Sequence, residues 1–217
     1  MDREKTCIIV GAGDFTPDEI EIKEGDLCIA VDGGYLYCKM QGIVPDMIVG
    51  DFDSVDDITW ESILDVREVS PEKVVVLNTK KDDTDTLAAL RIAMEKGYRC
   101  FRIYGAMGGR LEHTIANIQC LTYLKNNGAK GYIMNANVMM TVIKEETLVF
   151  NPDMEGYMSL FSLNEKSEGV SISGMKYPLD KVTLTNDYPI GVSNEFIGEK
   201  GCVTVEKGTL LVIVAWG

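Results

Sequence analysis

The sequence predicts an α/β domain, a Rossmann-like, mostly parallel sheet with helices on both faces, followed by an antiparallel β-sandwich or barrel. Three observations predict it. Over roughly the first 130 residues, short apolar runs alternate with helix-spaced segments, the pattern of a parallel sheet buried on both sides. Beyond Gly131 the chain turns to short β-rich runs divided by Gly, Pro, Asn and Asp, with no long helical pattern. The 217 residues, 46% of them hydrophobic, suffice for one large domain or two small ones. The change of texture falls between Gly131 and Thr147, and we divide the chain into residues 1–138 (α/β) and 139–217 (β-rich).

The elements follow in order. TCIIVGAG and LCIAVDGG each read as a buried strand running into a glycine turn, and YLYCKMQGI as a short helix closed by Gly42. MIVGDFDS is the next strand and its loop. VVVLNT is a β-branched run of buried-strand length. DDTDTLAALRIAMEKG is a helix, with aspartates at its start, Leu87, Leu90 and Met94 at helical spacing and Gly97 at its end. CFRIYGA is a strand, and RLEHTIANIQCLTYLKNNG a long helix stopped by Asn-Asn-Gly. The β-rich part contributes GYIMNA, VMMTVI, TLVF, YMSLFSL, GVSISG, KVTL, CVTVEKG and LLVIVAWG.

A formal net charge of −13 argues against a nucleic-acid backbone as partner, but leaves room for a nucleotide held by a few local groups and a metal. The six cysteines form no CxxC pair and mostly sit in apolar runs, as reduced core residues do in a cytoplasmic protein. With His113 the only histidine, a zinc site is disfavoured. The opening MDREKTCIIVGAG is too short and acidic for a signal peptide, and no stretch approaches the ~20 apolar residues of a membrane span. A soluble, cytoplasmic protein is expected.

Open α/β sheets bind ligands beyond the carboxyl ends of their strands, and acids gather at such ends. Asp32 follows CIAV, Asp51 and Asp53 follow MIVG, and Asp82, Asp83 and Asp85 follow VVVLNTKK and open a helix. In extended chain, Asp51 and Asp53 would face one way. On a helix, Asp82 and Asp85 would share a face. Capping of free N–H groups is the ordinary use of Asp82 or Asp83; for Asp85 capping and chemistry stand level, and for Asp51 and Asp53 a plain turn is the alternative. Two unit charges ~6 Å apart at an effective dielectric of ~20 repel by roughly 3 kcal/mol. Several converging acids therefore protonate or recruit a cation, and hard oxygen ligands select Mg²⁺ or Mn²⁺, which in turn suits a phosphate-bearing substrate.

RIYGAMGGRLEHTIANI supplies a place for phosphates. Gly105, Gly108 and Gly109 let the backbone approach closely, a helix begins near Leu111, and Arg110 stands at its start. No Walker A motif is present, and Gly11 and Gly13 of GAGDF read as an ordinary tight turn. His113, one turn into its helix, either reaches the nucleotide or packs as a half-buried helix histidine.

DGG (Asp32–Gly34), GDFDS (Gly50–Ser54), KDDTD (Lys81–Asp85), GGRLEHTIANI (Gly108–Ile118), GMKYPL (Gly174–Leu179) and GVSNEF (Gly191–Phe196) occur in this order across nearly the whole chain. The set resembles the bacterial thiamine pyrophosphokinases. The resemblance implies transfer of pyrophosphate from ATP to the hydroxyl of thiamine, giving AMP and thiamine diphosphate. It implies a Mg²⁺-dependent homodimer with its active site between the α/β domain of one subunit and the β domain of the other. It places Asp32, Asp51, Asp53 and Asp85 around the phosphates and Mg²⁺, with Asp51, Asp53 and Asp85 as metal ligands. It matches Gly109 and Arg110 to a nucleotide-phosphate loop and sets Thr84 beside the acids; Gly33, Gly34, Gly108 and His113 are read as further candidates to meet ATP. Tyr177, Ser193, Asn194 and Lys81 would meet thiamine. Glu112, Lys81 and Tyr177 depart from residues common at these positions in the family. A Mg²⁺-dependent phosphohydrolase and a non-catalytic nucleotide or thiamine sensor are the rival readings.

Overall fold

The computed structural model describes residues 3–15, 20–78 and 83–216. The chain divides into two compact units, Met1–Ala136 and Asn137–Gly217.

In the first unit the strands are β1 (Thr6–Val10), β2 (Leu27–Val31), β3 (Met47–Gly50), β4 (Val74–Val76), β5 (Cys100–Tyr104) and β6 (Lys130–Asn135). The helices are α1 (Gly34–Met40), α2 (Asp57–Val69), α3 (Asp85–Glu95) and α4 (Leu111–Asn126). The strand order is β6-β5-β1-β2-β3-β4, and the pairings within it are parallel. Each residue of β1 and β2 is buried, as strands covered on both faces must be. Ile8, Val10, Cys28, Ala30 and Ile48 share a core cluster with Tyr35 and Cys38 of α1 and Ile63 of α2. Their alternating neighbours Ile9, Ile29 and Val49 are equally buried and face the side where α3 packs on β1, β2 and β3.

Three details differ from the sequence reading. Helix α2 has no counterpart in it: the segment is rich in acids and buries only Thr59 and Ile63, too narrow a stripe to stand out by periodicity. Its start is nonetheless signalled by Asp56, which accepts hydrogen bonds from Thr59 N–H (2.8 Å) and Oγ1 (2.9 Å). The run VVVLNT narrows to three strand residues. GYIMNA, read as the first β-rich run, is β6 and pairs in parallel with β5; its alternating burial is the pattern that ordinarily marks an antiparallel strand.

The second unit holds β7 (Val138–Lys144), β8 (Thr147–Phe150), β9 (Tyr157–Ser162), β10 (Lys166–Ser173), β11 (Leu179–Thr185), β12 (Asn194–Glu195), β13 (Gly201–Thr204) and β14 (Thr209–Ala215). Within this unit they run in two antiparallel layers of four strands, ordered β12-β9-β14-β7 and β11-β10-β13-β8. One core joins them: Met158, Leu160, Leu210, Val212 and Val214 from the first, with Phe150, Val170, Ile172, Leu184 and Val203 from the second. Of sandwich and barrel, this is the sandwich.

Candidate active site

In the first unit the chain runs outward through β1, β2, β3 and β4, then crosses back to place β5 on the other side of β1. The loops after β1 and β5 therefore part in opposite directions, and a crevice opens at their carboxyl ends. A cleft of about 400 Å³ occupies it, lined by Gly11–Gly13, Gly105 and Ala106, by Asp32, and by residues that begin α3 and α4.

Two loops form its floor and are laced together by backbone bonds: Gly11 N–H to Tyr104 O (2.8 Å), Gly13 N–H to Gly105 O (2.7 Å) and Asp14 N–H to Met107 O (2.7 Å). A Cβ at Gly13 would stand 2.5 Å from Met107 O. The glycines of GAGDF thus do more than turn the chain: they let the two loops touch. Beyond them Gly108 (φ +77°) and Gly109 (φ +58°) lead into α4. Arg110 is the extended N-cap residue and gives α4 no side-chain cap. The N-cap side-chain acceptor that usually serves the first-turn N–H groups is therefore missing, although the Glu112 carboxylate, held below its ordinary range chiefly by its own backbone N–H, meets one of them. Arg110 is mostly exposed, its Nε bonded to Glu112 Oε1 at 2.7 Å.

Three of the strand-end acids meet. Asp32, Asp51 and Asp85 each bring a carboxylate oxygen within 4.8 Å of the others. Asp32 adopts a left-handed backbone (φ +48°); its N–H is bonded to Val49 O at 3.1 Å and its Oδ1 accepts from Phe52 N–H at 3.3 Å. It lies so close over the end of β3 that a Cβ at Gly50 would stand 1.9 Å from Oδ1. Burial, then the charge of Asp85 and a hydrogen bond shared with it, then the charge of Asp51, push the Asp32 carboxyl up to about 7, against the opposing pull of the Phe52 N–H. Three oxygen donors with no histidine or thiolate among them are a hard-cation set.

Asp53 does not join these three. The alternation of extended chain fails between it and Asp51 because Phe52 is left-handed (φ +60°). The Phe52 side chain is buried against Trp60, ring centroids 5.3 Å apart, and Asp53 is left exposed, its N–H directed to Asp51 Oδ1 at 3.3 Å. At α3 the cap is Thr84, whose Oγ1 accepts from Leu87 N–H at 3.2 Å. Asp85 is the first helical residue. Asp83 caps nothing and pairs with Arg91 at 2.6 Å. Lys81 and Asp82 lie outside the described residues.

Thr84, Gly108, Gly109, Arg110 and His113 all line the cleft, and His113 is exposed. Gly33 and Gly34 do not line it. A Cβ at Gly34 would stand 2.0 Å from Val10 O, so this glycine seats α1 against β1. The sequence reading missed Asn117, which also lines the cleft and is buried. A signal was there: 110, 113 and 117 are spaced to share one helix face.

In the second unit, Asn194 is buried and fully engaged: Oδ1 accepts from Tyr177 N–H (2.9 Å) and Glu195 N–H (3.0 Å), while Nδ2 donates to Tyr177 O (2.7 Å). It fixes the backbone under the exposed Tyr177 ring, over which Lys176 Nζ lies 5.5 Å from the centroid. Ser193 is exposed and left-handed (φ +60°), its N–H bonded to Ser159 Oγ at 3.1 Å.

Comparison with known proteins follows the same division. The family model of the thiamin pyrophosphokinase catalytic domain matches residues 19–133, and that of the thiamin pyrophosphokinase vitamin B1 binding domain matches residues 143–210. The thiamine pyrophosphokinase of Bacillus subtilis (strain 168) is 31% identical over 220 residues, covering 96% of this chain and 98% of that protein. Its crystal structure superposes with a TM-score of 0.81 over 98% of this chain and 100% of that one, at 27% identity. The thiamin pyrophosphokinase of Geobacillus thermodenitrificans gives a TM-score of 0.82 over 98% of each chain, at 28% identity.

Proposed function

The chain belongs to the thiamine pyrophosphokinase family, and from that premise we propose that it transfers the pyrophosphoryl group of ATP to the hydroxyl of thiamine, releasing AMP. The observation that carries this reading is the convergence of three carboxylates and an uncapped, glycine-led helix start on one cleft. Acids alone would repel a polyphosphate, and the helix start alone would not hold a cation; together they suit a metal–polyphosphate complex.

In this reading Asp32, Asp51 and Asp85 hold Mg²⁺. The donor set supports it, and so does the strongly raised Asp32 carboxyl, since a divalent cation would relieve the crowding that raises it. When bound, the ion supplies neutralisation of the phosphate oxygens. The chain itself does the rest by positioning. The loop N–H groups from Gly108 onward and the Arg110 guanidinium hold the polyphosphate in line for attack on its β-phosphorus, and Thr84 keeps Asp85 at the start of α3. A carboxylate of the cluster takes the proton of the attacking hydroxyl. Thiamine meets the β-sandwich, where the Tyr177 ring offers a face to a cationic heteroaromatic, Ser193 offers a hydroxyl, and Asn194 holds Tyr177 in place rather than touching the ligand.

We further propose a homodimer in which a second copy completes the site. Tyr188, Ile190, Val192 and Ile197 of the sandwich are 48–65% exposed, apolar side chains gathered within ten residues of chain that suit a protein interface. A reducing, cytoplasmic setting suits six unpaired thiols, and no helix among the described residues is long and apolar enough to cross a membrane.

Incubation with ATP, Mg²⁺ and thiamine tests the reaction. Thiamine-dependent AMP is expected. ADP would mean single phosphoryl transfer and refute it; phosphate release without thiamine would indicate a hydrolase, and binding without turnover a sensor.

A further inference from the structure

Asn117 is the buried polar residue of the cleft that the reaction as described leaves unused. It is 8% exposed. Its Nδ2 donates to Ala106 O at 2.9 Å, which fixes the amide: the opposite orientation would set Oδ1 against a carbonyl oxygen. Among the described residues Oδ1 accepts no hydrogen bond, yet among those same residues no fully buried side-chain oxygen or nitrogen is left unpartnered. Oδ1 therefore keeps an opening, and the opening available to a residue that lines the cleft is the cleft itself. Ala12, Val31, Ala106 and Ala116 are among the small residues that line the same cleft. Along α4, Asn117 lies seven residues beyond Arg110, about 10 Å at 1.5 Å per residue, a separation comparable to that between the phosphates and the base of a nucleotide.

We propose that Asn117 reads the base of the nucleotide substrate and selects adenine, its pinned Oδ1 accepting a hydrogen from the exocyclic 6-amino group. The inference rests on the reading of the cleft as a nucleotide site. Adenine offers a donor at position 6, whereas guanine and hypoxanthine offer an acceptor there. An acceptor held in place meets the first with a bond and the second with an unpaired oxygen, a penalty that ordinarily exceeds the value of the bond itself. The 4-amino group of the thiamine pyrimidine carries the same donor chemistry. The adenine source is favoured because Asn117 shares its helix with the phosphate-facing Arg110.

Nucleotide binding, measured by calorimetry with Mg²⁺ and without need of turnover, tests this. The wild-type protein is expected to bind ATP about tenfold or more tightly than purine riboside triphosphate, which lacks the amino group, and more tightly still than inosine triphosphate. In Asn117→Ala and Asn117→Leu the three should converge, mainly through weaker ATP binding; a fall in all three by one factor would mean that Asn117 only props the loop, and would overturn the proposal. Equal affinities in the wild type would overturn it without any variant. A parallel series with thiamine and its 4-oxo analogue separates the two sources: loss of discrimination there, with ATP preference intact, would reassign Asn117 to the aminopyrimidine and refute adenine selection. ATP preference without AMP formation would leave this inference standing while refuting the proposed reaction.

Discussion

At the scale of single residues, Asp32 carries a conflict between stability and use. Burial and two neighbouring acids raise its carboxyl to about 7 in the fold, well above the value near 3.9 of an unfolded chain. The folded state then holds a proton that the unfolded state releases, so metal-free stability falls as pH rises from about 4 to 7, by a few kcal/mol in all. Asp32→Asn removes that slope. Its melting temperature at pH 8 is expected to exceed that of the wild type in chelator, while its turnover falls by orders of magnitude. Added Mg²⁺ should raise the wild-type melting temperature more at pH 8 than at pH 5, because the proton competes with the ion; a metal increment independent of pH would remove Asp32 from the site. The neighbouring pair of acids separates by the same logic. Asp51→Asn, within the cluster, should remove most of the Mg²⁺ increment and reduce activity by about a hundredfold or more, in the range of lost charge stabilisation. Asp53→Asn should spare the increment, since its carboxylate stands outside. Comparable loss of the Mg²⁺ increment in both variants would mean that the loop rearranges around the ion.

At the scale of elements, the site depends on how helices begin. Helix α3 starts at Asp85 and is capped by Thr84, so the cap and a candidate ligand are adjacent. Thr84→Ala should cost about 1 kcal/mol in urea denaturation and, by fraying the first turn, reduce activity by more than the stability change explains. Thr84→Ser should restore both; failure of serine to restore activity would mean that the methyl group, not the cap, matters. The sequence told this helix from Leu87, Leu90 and Met94; of these Leu90 is buried, with Ala89 and Ala93 rather than Leu87 and Met94 beside it, and the cap is Thr84 rather than an aspartate. Three aspartates and a threonine crowd its start, and local propensity does not rank them; the Asp83–Arg91 pair across two turns does. Helix α2 went unread for the opposite reason: its exposed Ile58, Leu64 and Val69 blur the apolar stripe that periodicity detects.

At the scale of the whole molecule, the proposed homodimer is directly measurable. Light scattering should give twice the 24.0 kDa chain mass. Val192→Asp, on the exposed loop before β12, should shift the mass toward one chain and lower activity in proportion; an active monomer would refute completion of the site by a second copy. The α/β and sandwich folds were both legible in the sequence, since strand and helix periods are local properties of the chain. So was the gathering of acids and glycines at strand ends, because a strand stops where its apolar run stops. Which of those acids meet was not local. Asp32, Asp51 and Asp85 converge because β2 and β3 are neighbours and α3 packs over them, while Asp53 is turned away by the burial of Phe52. The cleft, and the amide of Asn117 within it, exist because β5 returns to the far side of β1. That crossing is decided by the need to cover both faces of one sheet, a requirement that no window of sequence contains.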